Sequence, residues 1–209
     1  MSDWGWHKFK LPEGTDPYKY KGNEWDTQGR MVRYDVHSEN ERPLYQWMRV
    51  NPQRINLGRL GFILKKKDGS VISLSELSDP AQHLNLWTGV AVSTFTIEGK
   101  KVTVTTIGHP EKDVITVKVN APELNDGRIL LNLRLPYASG KEFGNGADFN
   151  SVDKHQTTAK INNNNALFER QLDSTNFNIR LLWKGGGKIE QLAKHLPRET
   201  VGQYLGEAE

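Results

Sequence analysis

Six histidines, His7, His37, His83, His109, His155 and His195, lie far apart in the chain, and no two take the HxH or HExxH spacing that holds a metal ion. No cysteine is present, which excludes disulfides, thiolate metal sites and cysteine nucleophiles. GxSxG, P-loop and GxGxxG patterns are absent, and the glycine-rich run 140–146 does not lead into a helical pattern that would make it a phosphate cradle. Neither a metal nor a cofactor is therefore expected. Glu142 and Asp148 share one polar loop and are candidates for the paired carboxylates of glycoside hydrolysis. With 25 acidic residues in the chain, however, some such pair is bound to occur. No catalytic residue is assigned on this ground. The other chemistry on offer is recognition. In Trp4-Gly5-Trp6-His7 two indoles are separated by a residue without a side chain. Such faces can stack on the C–H face of a pyranose ring while a neighbouring imidazole binds a hydroxyl. The alternative is that these rings only fill a core.

The elements that must position these groups are strands. Residues 84–119 read as a β-meander of three strands, over 86–97, 101–107 and 114–119, with Glu98-Gly99 as a two-residue turn and 109–113 as the next connection. In the second strand Val102, Val104 and Thr106 share one face and Thr103, Thr105 and Ile107 the other, the period of a half-buried antiparallel strand. A hairpin is expected from a strand over 54–65 and the Asp68-Gly69 turn, and 73–80 reads as a loop with a possible helical turn. Further strands are predicted over 128–135, with Ile129, Leu131, Leu133 and Leu135 on one face, and over 156–161. A last hairpin pairs 166–172 with 176–184. The segment 136–154 reads as a long functional loop. Residues 1–50 read as an irregular aromatic arm with a short strand over 31–36, after a turn at 26–30, and a helical turn or two at 43–48. Many short strands and hardly any helix define an all-β fold, an antiparallel sandwich of two large packed sheets. The expected organisation is one domain over 1–188, followed by a tail over 189–209 that is helical or disordered.

The composition restricts partners. There are 28 basic and 25 acidic residues, for a net charge of +3. The longest basic run, Lys65-Lys66-Lys67, adjoins a hairpin turn, and no basic stripe or motif points to nucleic acid. No apolar run approaches the roughly 18 residues of a membrane span. The start, Met1-Ser2-Asp3-Trp4, lacks the basic and apolar regions of a signal peptide. The mean hydropathy of −0.66 is that of a polar chain. Unpaired sheet edges raise the expectation of self-association.

Several stretches together carry a resemblance: DWGWHKF, NPQRINLGRLGFIL, QHLNLWTGVAVSTFTIEGKKVTVTTIGHPEKDVITVKV, LRLPYASG, DKHQTT and FERQLDSTNFNIRLLW. Over about residues 3–184 the chain resembles the N-terminal domain of bacterial glycosidases with a six-hairpin (α/α)6 barrel, relatives of glycoside hydrolase families 65 and 95. The resemblance implies a supersandwich whose catalytic carboxylates lie elsewhere, on a barrel not contained in these residues. It implies a carbohydrate and that barrel as partners, no activity of the sandwich alone, and a periplasmic or secreted location for the parent enzyme. It also implies that the DWGWH and DKHQT segments lie at the barrel mouth, so that Trp4, Trp6, His7, Lys154 and His155 face the sugar.

Overall fold

The computed structural model describes residues 5–124, 126–184, 189–191 and 204–207, the last two segments through their backbone alone. Trp4 lies outside the described residues. The chain is all-β, its strands pair antiparallel, and its sheets pack as a sandwich.

Strand β1 (Trp6–His7) pairs with β4 (Gln53–Arg54), so the chain's start is tied to a segment nearly fifty residues on. Between them lie the hairpin of β2 (Asn23–Thr27) and β3 (Arg30–Tyr34) and the helix α1 (Arg42–Val50). The region expected to be irregular thus carries a hairpin, whose turn is held by the Asp26 carboxylate accepting from the Gly29 N–H at 2.7 Å. The helical turns expected at 43–48 are part of α1, which has Pro43 in its first turn and buries Leu44.

The meander exists with one more strand than expected. Its order is β6 (Ser78–Asn85), β7 (Val90–Ile97), β8 (Lys100–Gly108) and β9 (Ile115–Asn120). The strand expected over 86–97 begins later, because Asn85 Oδ1 accepts from the N–H groups of Trp87 (3.0 Å) and Thr88 (3.1 Å) and folds 86–89 into a turn. The expected loop over 73–80 holds one helical turn, Leu74–Glu76, and then the start of β6. At the Glu98-Gly99 turn both residues have positive φ, 46° and 79°, the mirror-image turn that suits strand twist and that glycine admits without strain.

A second sheet has β5 (Arg59–Leu64) beside β10 (Ile129–Arg134), then β17 (Tyr204–Glu207) and β16 (Ile189–Gln191). Where the tail is described it is therefore strand, in place of the helix or disorder expected there. The Asp68-Gly69 turn follows β5 as expected, but its return arm makes only the bridge Lys65–Val71. The two sheets meet through Ile97, Val102 and Val104 on one side and Phe62, Leu64 and Ile129 on the other, with Leu124 between. Each fully buried side chain among these stabilises the fold by about 1.5–3 kcal/mol, and partly buried Phe62 and Leu64 contribute less.

The third sheet, β13 (His155–Asn162), β14 (Asn165–Leu172) and β15 (Thr175–Leu182), packs Ala166 and Phe168 on Leu133 and Leu135. Strand β10 and its extension thus serve two cores. Leu130, on the opposite face from Ile129, Leu131 and Leu133, is buried as well. The long loop 136–154 is partly ordered by the short ribbon of β11 (Tyr137–Ala138) and β12 (Ala147–Asp148). No helix among the described residues is long and apolar enough to cross a membrane.

Candidate functional site

Where β1, β11 and the ends of β13–β15 meet, Ile55, Tyr137 and Leu172 form a small apolar cluster with Phe9 and Phe177. Polar groups are set into it. Tyr137 is its centre. Its hydroxyl donates to Asp173 Oδ2 at 2.5 Å. The His7 ring stands edge-on to Tyr137 at 5.5 Å, the His155 ring stacks nearly parallel to it at 6.0 Å, and Lys154 Nζ lies 5.8 Å from its centre. The DWGWH and DKHQT segments, 148 residues apart from His7 to His155, therefore converge on one tyrosine.

Local structure explains the convergence. The backbone of Phe9 is clamped from α1 and its exit: Trp47 Nε1 donates to Phe9 O at 3.0 Å, and Asn51 Oδ1 accepts from Phe9 N at 2.8 Å. Gln53, opposite His7 in the β1–β4 pair, donates to Lys141 O and accepts from Gly140 N, which fixes the start of the long loop beside Tyr137. Arg170 is 2% exposed on the inward face of β14. It donates to Pro136 O at 2.8 Å, to Thr157 Oγ1 and to His155 Nδ1 at 2.6 Å, which ties β13 to the entry of β11.

These contacts set the charges. A guanidinium has no acceptor, so His155 Nδ1 must carry the lone pair and the neutral ring holds its proton on Nε2. Burial, and then the charge of Arg170, lower the His155 pKa to about 4, with Asp148 opposing. His7 is fully buried. Its Nδ1 is 3.1 Å from Thr175 Oγ1, and its Nε2 approaches Asp173 Oδ2 at 3.1 Å in a direction that is not a hydrogen bond's. Burial lowers its pKa too, against the pull of Asp173. Burial and the bond to Asp173 raise the Tyr137 phenol above its ordinary value. At neutral pH the site thus holds two neutral imidazoles and an undissociated phenol. Lys154 and Asp173 are its exposed charges. This set can present fixed donors and acceptors to a ligand, and it is poorly suited to move protons.

The structure separates the other expected site residues. Trp6 is half exposed and faces away from His7, with the Arg54 guanidinium 5.6 Å from its ring. Glu142 is bound to Arg49. Asp148 accepts from the Ser151 hydroxyl and from the N–H groups of Asn150 and Ser151. Burial would raise its pKa, but these bonds outweigh burial and hold it below the usual carboxylate range. That is the wrong direction for a general acid. No cluster of metal-ligating side chains occurs among the described residues.

Sequence reasoning missed Tyr137, Asp173, Thr175 and Arg170. A readable signal existed for Arg170: in the run from Phe168 to Leu172 the period of two puts it on the buried face. Compared with known proteins, the chain matches no family model and no curated sequence.

Proposed function

We propose that this chain is the non-catalytic N-terminal sandwich domain of a carbohydrate-active enzyme of the glycoside hydrolase type, which packs on an (α/α)6 barrel and shapes its sugar cleft. The observation that supports this most is the meeting of the two segments expected at the barrel mouth, which hold His7, Lys154 and His155 around Tyr137. Buried His7 and half-buried His155 position the tyrosine and Asp173, while Lys154 and Asp173 supply the exposed groups that meet sugar hydroxyls, and half-exposed Trp6 offers a separate ring face on the other side of β1. A carbohydrate and the barrel are the partners in this reading, and the sandwich hydrolyses nothing by itself.

A free-standing carbohydrate-binding module is the second reading. A shallow cleft of about 330 Å³ on the outer face of β13–β15 favours it, because Gln156, Thr158, Glu169, Gln171, Asn176 and Asn178 line it with amide, hydroxyl and carboxylate groups.

The test is glycan-array binding and aryl-glycoside hydrolysis by the purified chain, alone and with the reading frame continued beyond residue 209. Hydrolysis that needs a following helical barrel and falls in Trp6→Ala and Lys154→Ala proteins fits the first reading. Glycan binding by the chain alone that is lost in Gln171→Ala and Asn176→Ala fits the second. Turnover by the isolated chain that disappears in Glu142→Gln or Asp148→Asn would overturn both.

A further inference from the structure

The geometry points to an oxyanion-binding site at the pair Arg59 and Arg134, away from Tyr137. Arg59 on β5 and Arg134 on β10 are directly opposite in the antiparallel register, so their side chains leave the same face of the sheet. Like charges at such positions destabilise a sheet unless something offsets them. Nothing in the described structure does so fully. Among the described residues no carboxylate pairs with either guanidinium, whereas Arg128 takes both Glu98 and Asp126, and Arg49 takes Glu142. Arg59 makes one hydrogen bond, from Nη2 to Asn145 Oδ1 at 3.0 Å. Arg134 Nε is buried without a partner.

Both guanidiniums lie against one ring, with their carbons 5.0 Å and 4.2 Å from the centre of Phe149. An aromatic face attracts a cation modestly but accepts none of the N–H groups in the guanidinium plane. Asn145 Oδ1 also accepts from Ala147 N, so the loop that carries Phe149 is fixed over the pair. The result is an aromatic support with two forked donors and unused N–H groups. The ligand that satisfies them has several acceptor oxygens and a negative charge: a carboxylate, a sulfate or a phosphate. It is either a free ion or an oxyanion carried on an acidic sugar, and only the sugar-borne source rests on the function proposed above.

The test is thermal unfolding of the full chain in sulfate, phosphate, acetate and glucuronate, each against chloride at matched ionic strength. At about tenfold above its Kd a bound anion is expected to raise Tm by roughly 3–6 °C. The rise should vanish in Arg134→Gln and Arg59→Gln and persist in Arg180→Gln, which changes an exposed arginine on another sheet. The first two variants lose one of two like charges, so they are expected to fold. A larger shift with glucuronate than with acetate supports a sugar-borne oxyanion. Equal shifts support a free one. No shift beyond chloride, or a shift that survives in both Arg59→Gln and Arg134→Gln, overturns the site whatever becomes of the sugar reading.

Discussion

The Tyr137 hydroxyl and the Asp173 carboxylate, 36 residues apart, are joined at 2.5 Å, and the same carboxylate oxygen lies 3.1 Å from His7 Nε2. One turn residue thus reaches both the N-terminal strand and the strand that follows β10. Asp173 has a φ of 50°, a left-handed conformation that Asp tolerates better than most residues. Its carboxylate therefore serves two purposes, as a turn former and as the acceptor that sets the tyrosine.

Tyr137→Phe is expected to lower stability by about 1–2 kcal/mol, the cost of a part-buried hydrogen bond to a charged acceptor. Asp173→Ala should cost a similar amount, and the double variant less than the sum, because both remove one bond. Urea unfolding of the four proteins measures this. A Tyr137→Phe protein as stable as the parent would mean that the bond contributes nothing net.

Acid should weaken the fold through His155. Its folded pKa of about 4 lies below the ordinary 6.5, so the unfolded chain binds the proton first. This part of the stability is complete above pH 6.5 and is lost as pH falls from there toward 4. His7, lowered in the same direction, adds to the loss. Since His155 is only partly shielded from water, its share is discounted to roughly 1–2 kcal/mol. Denaturant midpoints between pH 7.5 and 4.5 should fall more steeply for the parent than for His155→Gln. Parallel curves would remove the argument.

What could be read in the sequence was local. Glu98-Gly99 and the alternation in β8 are consecutive residues that answer to backbone rules, and both are found where expected. Strand β6 escaped because Ser78–Asn85 is exposed along its whole length and carries no apolar alternation. The alternation in β10 named the face of Ile129, Leu131, Leu133 and Leu135, but could not show that Leu130 is covered from the other side. At the site, the two outer segments could be named, but their meeting point could not. Contacts such as Tyr137 to Asp173 and Arg170 to Pro136 depend on how three sheets stack. A histidine's spacing in the chain likewise says nothing about a guanidinium beside it.

Visibility in the sequence and energetic weight also differ between Phe168 and Trp87. Phe168 is wholly buried in the core between β14 and β10, and Phe168→Ala should cost about 3–5 kcal/mol. Trp87 is 97% exposed at the β6–β7 turn, and Trp87→Ala should stay within about 0.5 kcal/mol of the parent. Equal losses in thermal or urea unfolding would show that the turn is covered in solution.

Self-association through a sheet edge, where it occurs, is expected at β6. That strand pairs only with β7 among the described residues and is exposed throughout. Its pairing register shifts between Ser78 and Ala81, Asp79 takes a positive φ of 51°, and Pro80 lacks an N–H to offer a second strand. Bulges and prolines at an edge are means by which sheets resist extension. Pro80→Val restores a donor and removes one of these obstacles. Its mass by light scattering should therefore rise above the 23.8 kDa of a single chain at a concentration where the parent is less associated. Identical masses over the same concentration range would mean that the bulge at Asp79 alone closes the edge, or that association uses another surface.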